Sequence, residues 1–231
     1  MSNNLLKKKL KSALKLLSIS VLLAVSAVNS SNSYAGTAIA IGGGTLGYQV
    51  ALSQSMSENL NLRITHNAAS QNFDGETDGV DYDYDFEFSS TSLLIDWHVF
   101  GGGFRLTTGA LINDNEIHAQ SDVNGLTLEV GDTVFTSAEV GRLEGDISFD
   151  SYAPYLGFGW GRAIADGFSV VFDLGVVFQG QPEVSLQTVG GTLSDNQLLL
   201  DEVEREEQEL QEDADEFDLY PVVSLGLFYR F

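Results

Sequence analysis

The chain has 231 residues, no cysteine, and 33 acidic against 11 basic side chains, for a net charge of −22. A surface this negative repels nucleic-acid phosphates and leaves divalent cations or basic partners as its natural electrostatic company. The lack of cysteine excludes both a disulfide framework and a lipoprotein anchor, so stability has to come from packing, closed hydrogen bonding or a membrane.

The first element is a leader. Lys7, Lys8, Lys9, Lys11 and Lys15 form a basic head, Leu16 to Val28 is apolar, and Ser33-Tyr34-Ala35 supplies small residues before Gly36. That layout predicts a secretory signal peptide over 1–35, cleaved after Ala35; an uncleaved anchor is the alternative. Cleavage removes every lysine and leaves one domain, 36–231, with six arginines against 33 acids, a net charge near −27.

The mature domain alternates with period 2. Leu46, Tyr48, Val50 and Leu52 oppose Gly47, Gln49, Ala51 and Ser53; Leu60, Leu62 and Ile64 oppose Asn61, Arg63 and Thr65. Leu93, Ile95, Trp97 and Val99 oppose Ser92, Asp96 and His98; Phe104 and Leu106 oppose Arg105 and Thr107. Leu156, Phe158 and Trp160 oppose Tyr155, Gly157, Gly159 and Gly161; Phe168 through Phe178 oppose Ser169, Asp173 and Gly175. In the last segment Val223, Leu225, Leu227, Tyr229 and Phe231 oppose Ser224, Gly226 and Arg230, with Phe228 out of pattern.

One face is large and apolar, the other small or polar. A soluble sandwich buries its large face and covers the other with Lys and Glu, whereas a closed barrel in lipid turns the large face outward. Lipid also requires every backbone group to be paired, which β-structure achieves only by closure. The expected fold is therefore all-β: a transmembrane antiparallel up-and-down barrel. Its strands fall near 44–55, 59–72, 86–99, 103–118, 148–162, 167–180 and 217–231, with the glycine-rich 36–44 as the eighth. A soluble exported sandwich is the third-ranked alternative.

Short connections (55–59, 100–103, 163–167) alternate with long ones (73–85, 119–147, 180–216), which places the long ones outside the cell. The 119–147 segment has room for an extra hairpin. Two stretches concentrate the charge: an acidic loop over 73–87 and an acidic helical loop over 194–216. In the second, Ser194 and Gln197 read as a capping box before "LLLDEVEREEQELQEDADE", and Leu199, Val203, Leu210 and Ala214 give a thin apolar stripe. A disordered acidic loop is the alternative.

An apolar residue at alternate positions, ending on the terminal Phe231 with Tyr229, Leu227, Leu225 and Val223 before it, resembles the assembly signal of bacterial outer-membrane barrels. The size resembles small eight-stranded barrels of the OmpA, OmpX and OmpW kind. The stretches "APYLGFGWG", "FDLGVVFQG" and "LYPVVSLGLFYRF" are similar to Gram-negative outer-membrane proteins. The resemblance implies location in the bacterial outer membrane, and lipopolysaccharide, periplasmic chaperones and the barrel-assembly machinery as partners. It brings no activity with it; a monomer without enzymatic activity is expected.

The candidate site lies on the small-residue face. Arg63, Arg105, Arg162 and Arg230 fall there near short turns, with Asp96 and His98 at similar depth and Asp173 further up. They predict either a salt-bridged plug in the lumen or a narrow, anion-favouring, porin-like constriction for ions or small solutes. Eight strands leave room for little more than side chains, which favours the plug. Asp81, Asp83 and Asp85 alternate with tyrosines and form either a weak Ca²⁺ or Mg²⁺ site or a solvated charged rim; no other cofactor is expected. His66 and His118 approach Asp114 and Glu116 near the outer rim, but no nucleophile–His–acid arrangement follows from their spacing. The "GGG" runs at 42–44 and 101–103 precede no helix and are not phosphate loops.

Overall fold

A computed structural model describes residues 36–77, 80–122, 127–161 and 167–230. The expected signal segment, Arg162 and Phe231 lie outside the described residues. Thirteen strands occur in order: β1 Thr37–Gly44, β2 Gly47–Ser55, β3 Leu60–Thr77, β4 Val80–Trp97, β5 Phe104–Asn113, β6 Glu116–Asp122, β7 Thr127–Val130, β8 Thr133–Thr136, β9 Gly141–Ser148, β10 Tyr152–Trp160, β11 Gly167–Phe178, β12 Glu183–Gly190 and β13 Leu219–Arg230. Among the described residues these are joined by a one-turn helix α1 (Ser137–Val140), a longer helix α2 (Gln197–Ala214) and a 3-10 turn over Asp215–Phe217.

Eight strands close on themselves in the order β1-β2-β3-β4-β5-β10-β11-β13, every pair antiparallel. The weakest expected strand, 36–44, is β1. It closes the barrel by pairing Ala38 with Arg230 through Gly44 with Ser224. The alternation holds on every barrel strand: Ile41, Tyr48, Ile64, Leu93, Trp97, Leu156, Trp160, Phe168 and Leu225 all face outward and are exposed. At the short-turn end the aromatics gather into a belt, with Phe104 4.9 Å from Trp160 and Phe168 4.9 Å from Tyr229, centroid to centroid.

The lumen is less polar than the sequence pattern suggests. Leu94, Leu111, Ala153, Tyr155, Val177 and Val222 form one buried cluster inside it, and Ala38, Ala40, Ala51, Val171 and Phe228 form another. Phe228, the residue out of pattern, points inward. Glycines make room for the large members. Gly157 and Gly175 are paired across β10 and β11, and a Cβ on Gly175 would stand 2.4 Å from the Tyr155 hydroxyl. Tyr155 therefore lies over a patch of bare backbone.

Three expectations need correction. The acidic segment 73–87 is not a loop: β3 and β4 run 18 residues each in unbroken register to Thr77 opposite Val80. Its aromatic–acid alternation is itself a period-2 strand signal. The expected 103–118 strand is two strands. Beyond Asn113 the chain leaves β10; Asp114 donates its backbone N–H to Ser89, and Asn115 Oδ1 accepts from Ser89 N–H, so that β6 continues against β4 and β9 instead. The 180–216 segment contains β12, which extends an outer sheet of upper β3, upper β4, β6, β9 and β12.

The helix forms where the charge pattern places it, but Asn196 caps it, accepting from Leu198 N–H, rather than Ser194. Leu199 and Val203 pack with Leu128, Val130, Phe135 and Val140 in a second core beneath the β7–β8 hairpin, while Leu210 stays exposed. The acids on α2 have structural work. Glu202 accepts from Asp132 N–H and Thr133 Oγ1, and Glu206 from Gly131 N–H. Glu207 accepts from Leu186 N–H, and Gln211 from Val184 N–H, so α2 satisfies the free edge of β12.

Because Tyr155 fills the space a side chain would take at position 175, Gly175→Ala is expected to cost about 1–3 kcal/mol by overpacking. The cost should shrink in a Tyr155→Ala background. A heat-modifiability gel across the four proteins measures both.

Candidate functional site

The polar centre of the lumen is built by register. The ladder β5–β10–β11 sets Arg105, Gly159 and Asp173 in one row. A Cβ on Gly159 would stand 2.8 Å from Asp173 Oδ1 and 3.2 Å from Arg105 Cζ, so the glycine is what lets the pair meet. Asp173, expected higher in the barrel, is therefore level with the arginines. From the other wall β3 contributes Arg63 and β4 contributes Asp96.

The four side chains are at most 5% exposed. Arg63 Nη2 donates to Asp96 Oδ1 at 2.9 Å, and its Nη1 donates to Asp173 Oδ2 at 3.1 Å. Arg105 Nη2 donates to Asp173 Oδ1 at 2.7 Å, and its Nη1 to the Gly161 carbonyl at 2.7 Å. Thr107 Oγ1 donates to Asp96 Oδ1 at 2.7 Å. The Nε atoms of Arg63 and Arg105 stand 2.9 and 3.4 Å from Asp96 without hydrogen-bond alignment; those two contacts are purely ionic. Two guanidinium groups and two carboxylates cancel, so the cluster carries no net charge. Desolvation of such groups costs several kcal/mol per ion; here it is offset by the hydrogen-bonded Nη groups and carboxylate oxygens, the two Nε groups being held by charge alone.

Of the other expected members, His98 is buried just past the end of β4, its ring nitrogens lying 3.2 Å from Asn61 Nδ2 and 3.0 Å from the Gly102 carbonyl. Arg230 lies at the short-turn end against Gly36, three inward positions beyond Ser224, the partner of Asp173. Sequence reasoning missed Thr107, Gly159 and Tyr155. Thr107 was legible as the next inward position after Arg105, the glycines as the "GFGWG" run, and Tyr155 as an inward position of the same alternation; what the pattern did not show is that its ring lies over the glycines.

The acidic positions lie on the outward face of the outer sheet. Asp83 and Asp85 are exposed, and Asp85 accepts from the Asn72 amide; the side chain of Asp81 lies outside the described residues. Among the described residues no group of three or more His, Cys, Asp or Glu is arranged to hold a metal ion. His66 pairs with Thr91 Oγ1 at 3.0 Å and does not meet His118. His118 lies on the acidic face between Asp85 and Asp146, with Nε2 3.5 Å from Glu116. Its Nδ1 pairs with the Asp146 carboxylate. On the last strand, Val223, Leu225, Leu227 and Tyr229 project outward together.

Closure by eight antiparallel strands, an apolar outer face and an aromatic belt define the chain as a barrel of the small outer-membrane type. Among solved structures it is similar to CarO2 of Acinetobacter baumannii (22% identity, TM-score 0.59, 87% of this chain and 100% of that one) and to CarO of the same organism (23%, 0.54, 86% and 98%). A major outer membrane protein of Thermus thermophilus also aligns (16%, 0.47, 85% and 99%). No protein-family model matches the chain, and no curated protein does.

Removing one partner of the buried quartet leaves an uncompensated charge. Arg105→Ala is expected to lower stability by about 3–5 kcal/mol, read as the urea midpoint of the detergent-refolded protein. The double variant Arg105→Met with Asp173→Leu should lose less than the two single changes combined, since Arg63 and Asp96 remain paired.

His118 gives a pH dependence. The hydrogen bond to Asp146, with the charges of Asp146 and Glu116, raises its pKa above the ordinary imidazole value. Its contribution is therefore complete below the ordinary histidine pKa and lost as pH rises through the raised one. Amide exchange in β6 and β9, corrected for intrinsic base catalysis, should accelerate across that window, and His118→Gln should abolish the dependence.

Proposed function

We propose that this protein is an integral outer-membrane barrel whose role is structural and surface-interacting, not conductive. One observation carries the reading: a neutral, buried quartet of Arg63, Asp96, Arg105 and Asp173 occupies the lumen, next to the apolar cluster around Tyr155. A pore needs a polar, hydrated path, and an anion filter needs an excess of positive charge at its narrowest point. Among the described residues the level of the quartet is filled by buried side chains and carries no such excess, which supports the reading.

Residues 1–35 act as a cleaved export signal in this reading, and the outward row Val223, Leu225, Leu227 and Tyr229 of β13, with Phe231 after it in the sequence, is what the assembly machinery reads. The short turns lie in the periplasm. The long-loop end, with the outer sheet and α2, faces outside and meets lipopolysaccharide; loosely held Ca²⁺ or Mg²⁺ bridges the acidic face to its phosphates. The protein acts as a monomer, without catalysis and without nucleic acid.

Planar-bilayer recording of the refolded protein, its folded state confirmed by heat-modifiability, tests this. The expected result is no discrete conductance. Anion-selective steps that change in Arg105→Lys would replace this reading with a narrow channel.

A further inference from the structure

The outer sheet has two edges, and the chain treats them oppositely. At β12 the outward N–H groups of Val184 and Leu186 are taken up by Gln211 and Glu207 of α2. At the other edge β3 loses its neighbour: β2 pairs with β3 only as far as Tyr48 opposite Ala68, whereas β3 continues to Thr77. Residues 69–77 therefore have a strand on one side only.

Which groups face the open side follows from alternation. Leu60 O accepts from Met56 N–H on the β2 side, and Asn59 O accepts from His98 N–H on the β4 side. The registers on both flanks run without a bulge, so the even residues point toward β2. Beyond the end of β2 the backbone N–H and C=O groups of Ser70, Asn72 and Asp74 point at no other strand among the described residues. Long, unprotected edges invite pairing with another chain, and proteins normally blunt them.

The two flanks of this edge state what would pair with it. On one face stand Asn72, Asp74, Asp83 and Asp85, all exposed. On the other, Phe73 is 54% exposed and meets Phe86 edge-on at 5.7 Å, with Tyr84 and Phe88 continuing the aromatic row. A strand added here places alternate side chains over carboxylates and over aromatic rings. A second copy of this chain would bring its own acids to the first set and is repelled.

We infer that the open edge of β3 over residues 69–77 is a docking site for an extended peptide segment in which basic residues alternate with apolar ones, bound by strand addition. This rests on the proposal that the long-loop end faces outside.

The test uses the refolded full-length barrel and a labelled nine-residue peptide of alternating Lys and Val, read by fluorescence anisotropy. The alternating peptide should bind at least tenfold tighter than a peptide of the same composition with its lysines and valines in separate blocks. N-methylation of one alternate set of its amides should abolish binding; methylation of the other set should not, because only one set meets the edge. Ser70→Pro with Asn72→Pro, and separately Asp74→Lys with Asp83→Lys, should each weaken binding tenfold with heat-modifiability retained. Equal binding of the block peptide, or indifference to methylation, would overturn strand addition in favour of plain charge attraction. Sedimentation as a dimer that the proline variant abolishes would overturn it in favour of a second copy. Binding that holds for the purified barrel but is absent on intact cells would count against the orientation and leave the site standing.

Discussion

The structure depends on one geometric fact: eight strands enclose a space about as wide as the side chains that point into it. Side chains have to fill it. Alternation supplies them, since every second residue of every strand points in, and the outward residues are then free to be as apolar as the surroundings require. The filling is not uniform. A charged quartet occupies one level, with Tyr155 and its aliphatic neighbours in one flanking cluster and Phe228 and small residues in another. Glycines at 157, 159 and 175 are the complement of this packing, marking where a large inward side chain from another position lies across the wall.

The quartet shows how position is specified without sequence proximity. Arg63, Asp96, Arg105 and Asp173 come from four strands, and Arg63 and Asp173 are 110 residues apart. Only the stagger of the barrel brings them level. A charge on the outward face would cost about 2–4 kcal/mol at mid-membrane, whereas inside the barrel each finds a partner. The same ion pairs also oppose register slips, because a one-residue shift would turn Arg63 or Asp173 to the outer face.

The barrel is legible in the sequence because its signal is local. Period-2 alternation, short turns and the row Val223, Leu225, Leu227, Tyr229 need no knowledge of what lies across the sheet. The membership of the lumen cluster is legible for the same reason, as inward charges. What escapes is set by distant pairing. Asp173 reads too high because depth along a strand does not reveal stagger. The ribbon over 73–87 reads as a loop because its acids outweigh its alternation. Strand β12 escapes because it is built on β9 and covered by α2, neither of which is near it in the alternation pattern. The acids of α2 carry no sign of a partner in the sequence, yet Glu202, Glu206 and Glu207 are backbone acceptors.

Strands β3 and β4 belong to two structures at once. Their lower halves are staves of the barrel, and their upper halves carry the outer sheet, with no break in register between. There is no hinge. The upper part of β3 has a contour length of about 30 Å at roughly 3.3 Å per residue, so the sheet stands as a mast whose orientation is fixed by the rivets at its foot. Tethering by continuous hydrogen bonding leaves little tumbling freedom to lose when something lands on it. The ion pairs deep in the lumen thereby set the attitude of a surface that they never touch.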